Sequence, residues 1–263
     1  MKSKKPLIPY LFWMAAFVVI PLGMVVYYAF TGRDGSFTIQ NFQHIAANKQ
    51  VYLDSLKVAL ISTAVCLVLA YPLALCMSRM SPRWQRMMNI LIMLPMWMNF
   101  ILRICSLELI LRPSGVLNQL LHLEENPIYR TPAAVVIGIV YNYLPFMVLP
   151  IYTVMTKISK SVLEAGQDLG CNGFALLRKV IFPLSLPGVI SGITMVFVPA
   201  ASSFVISARL GGFNLIGDTI EAYYKGEIDM NAGGMLSFIL MVVIFISIAV
   251  MNHFDQDDDI VLV

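Results

Sequence analysis

Six stretches of about 20 or more residues that carry few charges follow one another along this chain, at about 7–30, 55–78, 87–110, 133–155, 184–207 and 233–252. An α-helix rises about 1.5 Å per residue, so roughly 20 apolar residues cross the ~30 Å hydrocarbon layer of a bilayer. The expected fold class is therefore an all-α polytopic membrane protein with six transmembrane helices. Composition agrees: of 263 residues, 59% are hydrophobic and 13% charged, against roughly 45–50% and 25% in soluble domains. The spans leave no room for a sizeable soluble domain, so residues 1–263 are read as a single transmembrane domain.

The first apolar run follows Lys2, Lys4 and Lys5. It is too long for the core of a signal peptide and no small-x-small cleavage site follows it, so it is expected to be a retained helix. Cys66, Cys76, Cys105 and Cys171 are scattered without a C-x-x-C pair, which points to neither a disulfide framework nor a zinc site. His44, His122 and His253 show no ligand spacing, and no nucleophile–base group is evident. The chain also lacks the G-x-x-x-x-G-K-[ST] loop that cradles nucleotide phosphates. It is expected to be no enzyme and no nucleic-acid binder, with no metal and no cofactor of its own.

Lys and Arg accumulate on the cytoplasmic side of short loops. With the N-terminus placed there, that side holds Lys2, Lys4, Lys5, Arg79, Arg83, Arg86, Lys157, Lys160, Arg178 and Lys179, which is ten of the eighteen basic residues. Six spans return the C-terminus to the same side, where the acidic DQDDDIVLV tail gives no further support. The outer side then carries loops near 31–54, 111–132 and 208–232, the last long enough for a short helix.

On this topology EAGQDLGCNGFALLRKVIFP, residues 164–183, is a polar cytoplasmic interruption. Ser161 with Glu164 three residues later has the capping-box pattern that starts a helix. Gly166 and Gly170 would each cost such a helix roughly 1 kcal/mol relative to alanine. That cost points to a surface kept bare for close approach, or to a turn at Gly170–Gly173. FALLRKVIFP then leads into the fifth span, with Pro183 and Pro187 fitting its first turn.

Glu164, Ala165, Gly170 and Pro183, at these spacings before the next-to-last span, resemble the EAA loop of ABC importer permeases. Gly166 stands for the usual second alanine, and Val180 and Phe182 for the usual Ile and Leu. The resemblance implies the type I importer permease (MetI-like) fold with both termini cytoplasmic. It implies that loop 157–183 couples the membrane helices to a separate ATPase subunit through Glu164, Ala165, Gly166, Asp168, Gly170 and Pro183. ATP and Mg would then reside in partner subunits.

PMWMNFILRICSLELIL (95–111), RTPAAVVIGIVYNYLPFMVLPIY (130–152), IFPLSLPGVISG (181–192) and LGGFNLIGDTI (210–220) are similar to the first permease subunit of spermidine/putrescine importers. That likeness implies a bacterial inner-membrane assembly. Its members would be a second permease forming a heterodimer, two ATPase subunits and an extracytoplasmic polyamine-binding protein. Other cargoes (sulfate, phosphonate, iron) stay open for the same machine. An ion-coupled secondary transporter would need paired acidic residues near mid-membrane, and almost none are present; a membrane-embedded enzyme or passive assembly subunit lacks a catalytic cluster.

Polar residues inside spans face cavities or the bundle interior. The candidates for a translocation path are Trp97, Asn99, Arg103 and Glu108 in the third span, Asn142 and Tyr143 in the fourth, and Ser202 and Ser203 in the fifth. An aromatic wall with a carboxylate suits a polyamine through cation–π contact and charge pairing. Arg103 would repel a polycation unless it pairs with Glu108, pairs with a carboxylate of the other permease, or lies off the path. Gly188 and Gly192 have the GxxxG spacing of close helix contacts.

Overall fold

The computed structural model describes residues 7–32, 34–121, 128–225 and 229–256. Lys2, Lys4, Lys5, Arg33, His122, the side chain of His253 and the tail from residue 257 lie outside the described residues. Among the described residues the regular structure is helical, apart from one isolated bridge between Thr31 and Phe37.

Among the described residues five helices are each long and apolar enough to cross a membrane: α1 (Pro9–Phe30), α2 (Lys49–Arg79), α5 (Pro132–Met155), α7 (Gly173–Ala201) and α10 (Met230–Met251). Between α2 and α5 the third span expected at 87–110 is broken into two helices, α3 (Pro82–Trp97) and α4 (Phe100–Leu111); the stretches Pro82–Trp97 and Phe100–Leu120 are bent by 92°, and counted as one broken span they make the sixth. The cause lies in the sequence at the break. Met98 and Asn99 are extended, and the Asn99 side chain accepts hydrogen bonds from the amides of Ile101 (2.9 Å) and Leu102 (3.4 Å). An asparagine in that role starts a new helix.

The shorter helices include α6 (Lys160–Asp168), α8 (Val205–Leu210) and α9 (Ile216–Lys225), besides two six-residue helices at Phe42–Ala47 and Val116–Leu121. The predicted fifth span at 184–207 shifts: α7 starts at Gly173 and ends at Ala201. Pro183 therefore lies inside a helix instead of in its first turn. A π-helical turn over Leu177–Ile181, closed by Phe182 N–H bonding to the Leu177 carbonyl, directly precedes it. The same device, Ala15–Val19 with Ile20 N–H on the Ala15 carbonyl, precedes Pro21 in α1. Proline has no N–H and its ring crowds the preceding turn; one wide turn just before it gives the ring room without ending the helix.

α5 is central, packing against α2 and α7, which also meet each other, while α1 packs on α10. Lipid tails are as apolar as leucine, so helix association in a bilayer relies on close van der Waals fit and small residues. Cys66, Ala70 and Ala74 give α2 a fully buried small-residue stripe against Met147, Val148 and Ile151 of α5. Gly188 and Gly192 press α7 onto Pro150, Ile151 and Met147 of α5.

Hydrogen bonds define two ends of the bundle. Tyr152 O–H donates to Gln85 Oε1 (3.2 Å), joining the end of α5 to the start of α3. At the opposite end Ser55 accepts from the amide of Ile216 (2.8 Å), and Tyr52 donates to the Leu236 carbonyl (2.5 Å). Arg79, Arg83, Lys157, Lys160, Arg178 and Lys179 thus gather toward one end, together with α6. Arg112, Arg130 and Arg209 gather at the other.

Candidate functional site

At the first of these ends α6 and the start of α7 form a helical hairpin. The expected capping box is not made: Ser159 is the extended residue before α6, Ser161 lies within the helix, and the two hydroxyls bond each other at 2.9 Å. Glu164 therefore sits in mid-helix, exposed, its carboxylate unused by the cap. Ala165 and Asp168 are exposed beside it.

The turn is built by backbone chemistry. Gly170 has φ +83, Cys171 N–H bonds to the Gly166 carbonyl (3.1 Å) and Gly170 N–H to the Gln167 carbonyl (2.8 Å). This is the Schellman pattern, which requires the left-handed residue that glycine supplies most readily. Asn172 then starts α7 by accepting from the amide of Ala175 at 2.8 Å. Gly166 serves the hairpin itself. It is buried, and a methyl group there would stand 2.7 Å from Leu176 Cδ1. Two large apolar side chains that sequence reasoning missed flank the turn and stay uncovered, Leu169 at 87% exposure and Phe174 at 73%.

The predicted path residues separate into three groups. Trp97, 74% exposed, and Asn99 stand at the α3–α4 bend, where Asn99 is a helix cap. Tyr143, Ser202 and Ser203 meet around one cavity of about 210 Å³, shared with Phe100, Pro199, Phe204 and Val205. Asn142, adjacent and buried, donates to the Gly138 carbonyl (2.8 Å) and leaves its Oδ1 without a partner. Ser202 bonds back to the Val198 carbonyl (3.1 Å), but the buried Ser203 hydroxyl has no partner.

Glu108 belongs to a third cluster, at the end of the bundle opposite the hairpin. Its carboxylate is buried and accepts from Arg112 (2.7 Å) and the Tyr129 hydroxyl (3.2 Å), with Arg209 of α8 at 3.7 Å. The expected pairing of Arg103 with Glu108 is not made. Arg112, four residues on, was legible as a partner; Arg209 and Tyr129 arrive only through the fold. Glu108 thus ties α4 to α8 and to the start of α5. The arginine ends are about half exposed and screened by solvent, so each pair contributes modestly. Glu108→Gln is expected to lower the melting temperature of the purified chain by roughly 2–4 °C, the shift that about 1 kcal/mol produces at this size. An unchanged melting curve would show the tie to be idle.

The family described as the inner membrane component of binding-protein-dependent transport systems matches residues 58–257. The chain is 35% identical over 253 residues to the spermidine/putrescine transport system permease protein PotB of Haemophilus influenzae, covering 90% of this chain and 88% of that protein. Against PotB of Escherichia coli it is 35% identical over 246 residues, 88% of this chain and 90% of the relative. Among solved structures, a bacterial ABC transporter involved in import of the acidic polysaccharide alginate superposes with a TM-score of 0.74 at 14% identity, over 96% of this chain and 94% of that one. The MetNI methionine ABC transporter, in inward-facing conformations, gives 0.61 at 15% identity over 80% and 94%. At these identities the two structures speak for the fold alone. Matched by its family over residues 58–257 and by permease relatives over about nine tenths of its length, the chain belongs to the inner membrane components of binding-protein-dependent transport systems, as a multi-pass inner-membrane protein.

Proposed function

We propose that this chain is one of two different permease subunits lining the translocation path of a polyamine ABC importer. ATP with Mg is hydrolysed in two separate ATPase subunits, an extracytoplasmic polyamine-binding protein delivers the cargo, and the chain itself carries no cofactor and catalyses no reaction. The observation that carries the coupling half of this reading is the 159–181 hairpin. It projects from the basic end of the bundle with Glu164, Leu169 and Phe174 turned outward, while Gly166 locks α6 onto the start of α7. A rigid hairpin continuous with α7 can transmit motion to α5 through the glycine seam, so movement of docked ATPases becomes movement of membrane helices. The cargo half is supported by the near full-length likeness to spermidine/putrescine permeases.

In this reading the basic end is cytoplasmic, in line with the bias of Lys and Arg. Trp97, Tyr143, Ser202 and Ser203 face the path, whereas Glu108 holds the outer end together. The test is reconstitution of the complete complex in liposomes with labelled spermidine, and with sulfate, phosphonate or ferric iron as competitors. ATP-dependent uptake displaced by polyamines alone is the expected result; displacement by an anion or iron would reassign the cargo. Glu164→Arg is expected to lower both ATPase retention and uptake about tenfold or more, since reversing a charge at a docking surface replaces attraction with repulsion. Full activity in that variant would remove the hairpin from the coupling role.

A further inference from the structure

Arg103 is the least satisfied charge among the described residues. It is 7% exposed, and its Nε and Nη1 have no hydrogen-bond partner. A guanidinium shut away from water is retained only where an acceptor of opposite charge reaches it. The carboxylate nearest in sequence, Glu108, is taken by Arg112, Tyr129 and Arg209. Asp218 accepts from the amide of Leu215 at the start of α9 through Oδ2; its Oδ1 is buried without a hydrogen-bond partner, and no ion pair joins it to Arg103 among the described residues. The aromatic contact that Arg103 does make, with its Cζ 5.9 Å from the centroid of the Phe100 ring, supplies no opposite charge.

Phe100 is also a wall of the 210 Å³ cavity, together with Tyr143. Ser203, a third wall, is buried and brings a hydroxyl that likewise has no partner. Two kinds of unused donor therefore occur together here: the Ser203 hydroxyl in the cavity wall, and the Arg103 guanidinium packed against another wall, Phe100. The cavity's volume is below the roughly 300–1,000 Å³ of sites that hold small molecules, and the charge beside it is wrong for a polyamine. Both features suit a single carboxylate-bearing side chain.

We propose that the socket formed by Phe100, Tyr143 and Ser203, with Arg103 packed against its Phe100 wall, receives an aspartate or glutamate side chain from the second permease subunit, which neutralises Arg103 when the two permeases assemble. This rests on the heterodimeric reading above and deepens it. The inserted carboxylate accepts from the guanidinium and the Ser203 hydroxyl, a charge-assisted arrangement of the strong kind. It also removes the positive charge that would otherwise repel a polycation beside Tyr143 and Ser202.

The experiment is affinity capture of the complete complex through a tag on the second permease, with the amount of this chain retained read in detergent without substrate or nucleotide. Arg103→Met is expected to lower retention about tenfold or more, because a carboxylate left buried without its partner costs the interface heavily. Arg103→Lys is expected to keep part of it, as a point charge without the planar fork. Arg103→Glu should abolish it, and changing one membrane-segment Asp or Glu of the second permease to Arg should restore it. That rescue cannot come from a folding defect in this chain.

Wild-type retention of Arg103→Met overturns the proposal, as does the absence of any restoring carboxylate when each is reversed in turn. Neither outcome touches the cargo or the coupling hairpin, which are read by uptake and by ATPase retention. Failure of the wild-type chain to retain a second permease would instead overturn the heterodimeric reading itself.

Discussion

Leucine in place of Gly188 leaves no folded protein in the membrane. Gly188 is buried where α7 crosses α5, and a single methyl group there would stand 2.9 Å from the Pro150 carbonyl oxygen, 3.0 Å from Val154 Cγ2 and 3.1 Å from Ile151 Cα. Two of those three atoms are backbone, so no rotamer change relieves the clash and the helices must part. Overpacking a well-filled core costs typically 1–3 kcal/mol or more. In a bilayer the loss is not recovered by burying the separated faces elsewhere, because lipid already solvates them. Gly192→Ala is the contrasting case. Its closest neighbour, at 2.8 Å, is the Met147 sulfur, the mobile part of a flexible side chain, though the Met147 carbonyl follows at 3.2 Å. Expression with size-exclusion profiles and thermal melts separates the two: Gly188→Leu is expected to give aggregate alone, and Gly192→Ala a monodisperse protein with a reduced melting temperature. A monodisperse, transport-competent Gly188→Leu variant would show that the α5–α7 seam is looser than its geometry implies.

Aspartate at both Leu169 and Phe174 separates the permease from its ATPase while leaving the permease folded. These side chains are 87% and 73% exposed, so neither contributes to the chain's own core. The turn between them depends on Gly170 and on backbone bonds, which the substitutions leave intact. Full burial of a large apolar side chain at an interface is worth roughly 1.5–3 kcal/mol. Residues whose truncation costs at least about 2 kcal/mol dominate binding energetics, and 2 kcal/mol is about thirtyfold in affinity. Loss of both anchors, with two charges added in a desolvated groove, is expected to abolish ATPase capture and ATP-driven uptake together. Helicity and melting of the permease alone should be unchanged. Retained capture would move the docking surface away from the hairpin tip.

Particular residues show where reading the chain succeeded. Apolar length located five crossing helices, and the turn at Gly170–Gly173, one of two readings of the glycines, is where the hairpin reverses. The third span shows where it stopped. Mean hydropathy is a sum over residues and is blind to direction, so a run that turns by 92° scores like a straight one. Asn99 is the residue that decides, and its type alone suits a polar patch in a pore as well as a helix cap. Ser161 and Ser159 pose the same problem at the start of α6: the capping-box spacing favours Ser161, but the backbone turns extended at Ser159. Gly166 was legible as a position that admits close approach, though the sequence could not say that the approaching atom is Leu176 of the same hairpin.

The sequence by itself determined that this chain is a set of membrane-crossing helices with a polar hairpin at one end. In hydrocarbon each segment must satisfy its own backbone bonds, which makes crossing a local property of some 20 consecutive residues. Only the tertiary structure decided which charges are cancelled and which are left waiting. Arg209 reaches Glu108 and Arg103 does not. Ion pairing depends on distances of a few ångströms between residues that the chain can bring together only by folding.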